Sequence, residues 1–198
     1  MKTNNPLDFL LYVISDCKKH GVGVNLFPEE KLSFDDDLTV SGFWDWEDKS
    51  INVAVGFDEW LPVLAHEYGH FCQWKEKKFI SKKYQEAYEN FDDWILGNIE
   101  LTKKQVNEAC TLIQKCELDC EKRALKFIKK FNLYKDPDMY VQKANSYVLG
   151  YEASKHLRRW FKQSPSYVKK IYTSMPKTFI KTLKVKKTQL ENMIKYCF

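Results

Sequence analysis

The sequence predicts an α+β fold that is mainly helical, with a small N-terminal β-sheet or hairpin packed on one apolar helix. Three observations carry this. Only seven Gly and six Pro interrupt 198 residues, so regular structure dominates. Long Lys/Glu/Leu-rich stretches fill the second half and favour helix. Two β-branched or aromatic runs, residues 38–45 and 50–55, flank the polar turn 46–49, which is a hairpin pattern. An aromatic content of 15% excludes a disordered chain. The length suits one core, so residues 1–198 are expected to form a single domain, with 152–198 as its basic helical C-terminal extension.

Taken in order, residues 6–19 read as an amphipathic helix with Leu7, Leu10, Leu11 and Ile14 on its apolar face, stopped by Gly21 and Gly23. Residues 22–28 alternate like a short strand ending at Pro28, and an acidic turn, Asp35-Asp36-Asp37, follows. After the hairpin, Asp58 is placed to cap a helix that runs from Glu59 to Lys77 with Pro62 in its first turn. Further helices are expected over 82–100 with a break at Gly97, over 103–131 with Thr102 as cap, and over 138–162. Pro165 and Pro176 punctuate the basic helical remainder. No internal repeat is visible.

The N-terminus shows neither a secretory pattern nor an apolar span of membrane length, and a cytosolic protein is expected. The six cysteines, at 17, 72, 110, 116, 120 and 197, include no C-x-x-C pair and are expected to be reduced and mostly buried. Cys116 and Cys120, one helical turn apart, are the only cysteines spaced to share a metal, but no second pair of thiols matches them. The net charge of +5 is unevenly spread. Twelve Lys/Arg stand against Glu152 and Glu191 from residue 152 onward, a local +10, which leaves −5 for residues 1–151. A basic region of this kind is either a solvated helical face or a docking surface for an acidic or nucleic-acid partner.

The chemistry is concentrated in His66-Glu67-Tyr68-Gly69-His70. Two histidines four apart leave one helix face together and can bind one metal, and the adjacent Glu67 can reach a water on it. Gly69, costly inside a helix by about 1 kcal/mol against Ala, fits there if another group approaches closely. A catalytic zinc takes three protein ligands and leaves one position open. The other histidines, His20 and His156, lie in a Gly-flanked turn and far downstream, so a carboxylate from a second helix is the expected third ligand. Glu117 is the best placed, with Glu121 one turn on to accept the outer N–H of a ligating histidine.

These residues, with Glu117-Leu118-Asp119-Cys120-Glu121-Lys122-Arg123-Ala124, resemble the gluzincin pattern and are most similar to the ImmA/IrrE-like metallopeptidases and the zincin-like proteins of bacteriophages. The resemblance covers residues 50–55, 59–77 and 117–127, about a third of the chain. It implies a zincin-like fold and a Zn2+ cofactor held by His66, His70 and Glu117, with Glu67 as general base and a protein or peptide as substrate. Residues 50–55 would then either offer a strand edge to extended substrate or serve as a plain structural hairpin. Zinc would bring a water toward a pKa of roughly 7, and Glu67 would carry its proton to the leaving amine. Tyr147 and Tyr151, one turn apart with His156 behind them, are the candidates to stabilise the oxyanion; the same rings also suit core packing. Glu121 and Cys120 replace the Asn and Ala common in the regulatory members, and no helix-turn-helix is visible. The alternative reading is a catalytically silent zincin-like protein with a structural zinc, serving in a virion or in contacts with a host, or a nucleic-acid-associated protein. If phage-encoded, its place would be the host cytoplasm or the virion.

Overall fold

The computed structural model describes residues 5–35, 38–79 and 82–198 and is mainly helical with a small sheet. Asp36 and Asp37 of the acidic turn lie outside the described residues. The chain divides into two units: residues 1–76 with 120–137, and residues 77–119 with 138–198.

In the first unit, α1 (Pro6–Lys19) starts at a capping box, the Asn5 side chain accepting from the backbone N–H of Leu7 and Asp8. It is followed by β1 (Gly23–Phe27), β2 (Leu32–Asp35), β3 (Leu38–Val40), β4 (Gly42–Asp45) and β5 (Ser50–Ala54). β2 and β3 pair with each other, while the main sheet runs β1-β5-β4, with β1 parallel and β4 antiparallel to β5. The expected hairpin is thus β4–β5, its turn held by Asp45, whose Oδ1 accepts from Glu47 and Asp48 N–H at 2.9 Å. β5 is the central strand, so the expectation that its edge receives substrate fails: both of its edges are already paired. The parallel partner β1, remote in sequence, is what closes it.

The stripe expected to bury α1 also proves different. Phe9, Val13 and Cys17 are fully buried, while Leu7 and Leu11 are 62% and 57% exposed. Both sets recur at helical intervals; the aromatic one prevails because Phe9 meets the rings of Tyr68, Phe127 and Phe131 at 5.3–6.3 Å. Those rings come from α2 (Trp60–Lys75) and from the C-terminal part of α4 (Lys103–Phe131). The N-cap of α2 is Glu59 rather than Asp58, with no side-chain cap bond.

The second unit comprises α3 (Lys82–Leu96), the first part of α4, α5 (Pro137–Leu157), a 3-10 turn at Pro165–Tyr167, α6 (Lys169–Tyr172) and α7 (Lys187–Cys197). α3 ends at Gly97, whose φ of 83° is the left-handed conformation that glycine adopts freely. Thr102 caps α4 reciprocally with Gln105. One cluster packs Phe91 and Ile95 against Val106, Cys110 and Ile113; another packs Leu149 and Ala153 against Ile171, Met175 and Met193. Buried Asn145 fastens the segment after α6, donating to the Pro176 and Thr178 carbonyls and accepting from Ile180 N–H. All six cysteines are buried thiols, as expected.

A polar clasp joins α1 to α2. Asp16 Oδ2 accepts from Tyr68 Oη and Lys75 Nζ, each at 2.6 Å. Burial pushes the Asp16 pKa up, but the hydrogen bonds from Lys75 and Tyr68 outweigh it and the net shift is downward. Its contribution is therefore fully present above the unfolded carboxylate value of about 4 and is lost as pH falls through the lower folded value. Asp16→Asn is expected to cost about 1–3 kcal/mol at pH 7, and the gap to wild type should narrow on going to pH 3. Urea unfolding at both pH values checks this; an equal gap at both would count against it.

Candidate metal centre

The site is built where α2 meets α4 within the first unit. Helical spacing puts His66 and His70 on one face of α2, and their Nε2 atoms stand 3.2 Å apart. Each Nδ1 faces an oxygen instead. His70 Nδ1 lies 3.0 Å from Gln73 Oε1, and His66 Nδ1 lies 3.1 Å from Glu121 Oε1, the latter an ion-pair distance rather than an aligned hydrogen bond. Carboxylate and amide oxygens only accept, so these neighbours favour protons on both Nδ1 atoms and turn both Nε2 lone pairs toward one point. At that separation the two nitrogens either share a proton or face a common cation. Two nitrogens on one tetrahedral zinc stand roughly 3.3 Å apart, so the pair fits a single ion. Glu121 Oε1 lies beside His66 Nδ1.

Cys120 is the residue that sequence reasoning left aside. Its side chain lies with His66 and His70 in one group whose possible ligand atoms are all within 4.8 Å of one another, and the thiol donates to the His66 carbonyl oxygen at 2.9 Å. Histidine nitrogen and cysteine sulfur are both zinc ligands, so the donor set suits that metal. Gly69 makes the approach possible: a Cβ there would stand 2.7 Å from Cys120 Sγ and 3.1 Å from its carbonyl oxygen. The glycine between the histidines was the available signal, and Cys120 is the group that approaches it.

Glu67 is buried, 6% exposed, and faces β4, where a Cβ on Gly42 would come within 3.3 Å of its Cγ. Glu67 follows His66 directly in α2, and its burial keeps the carboxylate from bulk solvent.

The other expected residues fall in the second unit. There Glu117 is 3% exposed and accepts from the Tyr88 hydroxyl at 2.7 Å. Burial, and then the Glu117 charge, push the Tyr88 pKa well above its ordinary value, so Tyr88 stays a donor. Tyr88, another residue missed in the sequence, sits on α3, where only its place in an aromatic-rich helix marked it. Tyr147 and Tyr151 do meet, hydroxyl to hydroxyl at 3.1 Å, and the Tyr151 ring packs on Phe91 and Trp160. His20 and His156 are exposed; His20 Nδ1 lies 2.9 Å from the Asp16 carbonyl oxygen.

Gly69→Ala is expected to destabilise the protein by about 1–3 kcal/mol despite its better helix propensity, because Cys120 Sγ must move. Adding Cys120→Ala should recover part of that loss, with a coupling of at least about 0.5 kcal/mol in a double-mutant cycle. Strict additivity in urea unfolding would show that the two residues do not contact.

No protein-family model, curated protein or solved structure matches the chain. A functional reading therefore rests on the chemistry of the site itself.

Proposed function

We propose that the protein is a zinc metallopeptidase that hydrolyses a peptide bond in a protein substrate. The observation that carries the reading is the convergence of the two Nε2 atoms, each ring backed at Nδ1 by an oxygen, with the buried Glu67 carboxylate next in the chain. His66 and His70 would hold the metal. Glu117 is proposed as third ligand on its resemblance to the gluzincin glutamate. Bound there, zinc would acidify a water and polarise the scissile carbonyl. Glu67 takes the proton from the attacking water and delivers it to the departing amine. Glu121 holds the His66 tautomer so that Nε2 keeps its lone pair. Tyr147 and Tyr151 are proposed as hydroxyl donors to the developing oxyanion.

A second reading is favoured by one observation, the Cys120 thiol beside the histidine pair. With Cys120 added to His66, His70 and Glu117 as a fourth ligand the site would be filled by protein donors, as in a structural zinc site, and the protein would act through its surface rather than through catalysis.

Metal analysis and spectroscopy separate the two. Purified protein is expected to carry about one zinc, lost in His66→Ala and His70→Ala, and Glu121→Gln should weaken zinc binding about 10- to 100-fold in a chelator competition. Glu67→Gln should retain zinc while peptide hydrolysis falls by at least about a hundredfold; unchanged hydrolysis would refute the peptidase. Replacing zinc by cobalt(II) reads the ligands directly. An intense near-ultraviolet sulfur-to-cobalt band that vanishes in Cys120→Ala supports the thiolate site, whereas its absence in the wild type supports the open, catalytic one.

A further inference from the structure

Independently of the metal site, we infer that the second unit carries a docking surface for single-stranded nucleic acid, centred on α6 and the end of α7. Its basis is a charge distribution that structure does not neutralise. The second unit holds 20 Lys/Arg against 11 Asp/Glu, net +9, while the first holds 12 against 16, net −4. Between Glu152 and Glu191 there are eleven cations and no carboxylate at all. Three of the eleven find acids elsewhere in the unit: Lys155 with Glu152 and Arg158 with Glu100 at 2.8 Å, and Lys177 with Asp138 at 3.8 Å. Arg159, Lys162, Lys169 and Lys170, and Lys195 of α7, form no ion pair among the described residues. Solvated helical faces ordinarily intersperse the two signs.

Aromatic rings lie among these cations. Ile171, 1% exposed, anchors α6 inward, so its neighbours emerge on the two flanks and Lys169 points away from the core. On one flank Tyr172 shares the Lys143 ammonium with Tyr167, at 5.5 and 5.6 Å from the ring centres. On the other, Lys170 Nζ donates to the Tyr196 hydroxyl at 2.7 Å, and Lys195 lies 5.3 Å from the same ring. Next to it Arg159 covers Phe198 at 5.4 Å, and Lys162 N–H bonds the Cys197 carbonyl. The result is a ridge on which cations and rings alternate, the pattern that holds phosphates and stacks unpaired bases. A membrane surface is a poorer match, since no large aliphatic side chain of residues 152–198 is among the strongly exposed ones. Duplex is disfavoured because its bases are already stacked.

The test uses the full chain and a fluorescein-labelled (dT)20, read by anisotropy, beside the matching duplex and vesicles of anionic phospholipid. Binding of (dT)20 should weaken on the order of 50-fold between 50 and 200 mM NaCl if about four phosphates are engaged. Lys169→Glu with Lys170→Glu and Lys195→Glu should reduce binding at least about tenfold and flatten the salt slope, while Lys103→Glu with Lys104→Glu, on α4, should change it little. Tyr167→Ala should weaken binding about tenfold with the salt slope kept, because stacking is not ionic. Far-ultraviolet circular dichroism confirms that each variant is folded. No binding at 50 mM, binding that ignores salt or the ridge reversals, or a preference for duplex or vesicles over (dT)20 would each overturn the proposal.

Discussion

The candidate site depends on the close approach of Cys120 to Gly69. A helix presents its backbone to a neighbour only where a side chain is missing. With hydrogen alone at position 69, the thiol reaches the backbone of α2 and bonds the His66 carbonyl oxygen. This brings the next residue, Glu121, beside His66 Nδ1. One small residue thus sets the distance between two helices, and that distance decides which nitrogen of His66 is available.

Around this contact the unit is held by polar pairs that tie one helix to the next. The bidentate pair of Arg123 with Glu76, both bonds 2.7 Å, ties α4 to the end of α2 just beyond the histidines. The Asp16 clasp does the same for α1, at the far side of Tyr68, and the Phe9, Tyr68, Phe127 and Phe131 rings fill the space between. Tyr68, the residue after Glu67, therefore spans from the aromatic core to the half-buried Asp16 carboxylate, which fixes the rotation of α2 about its axis. Rotation is what a metal site built on i,i+4 histidines needs, since a helix turned by one residue would aim both rings elsewhere.

The two units differ in net charge, −4 in the first against +9 in the second. In the first, Lys75 and Arg123 pair with Asp16 and Glu76, and Lys130 lies over the Tyr12 and Phe131 rings. The second keeps many of its cations over tyrosine and phenylalanine rings, where the attraction is weaker and the charge remains available to an incoming anion. Chemistry and docking, on this reading, belong to different parts of the chain.

Much of this was legible in residues alone. Local signals placed α2 and α4 closely, whereas α5 stops at Leu157, short of the expected 162, and His66 and His70 announce their shared face by spacing four. Capping at Thr102 and the Gly97 stop followed from local chemistry. What only the tertiary structure decided was choice among equals. α1 has two apolar stripes, and partners in other elements selected Phe9, Val13 and Cys17. β5 looked like an edge until β1 paired with it from 27 residues away. Cys120 was marked only by its spacing from Cys116 and Tyr88 by nothing, because a cysteine or tyrosine on a helix is ordinary core material until a glycine or a carboxylate from elsewhere faces it. Sequence spacing encodes which residues share a face of one element; which faces meet is settled by packing between elements.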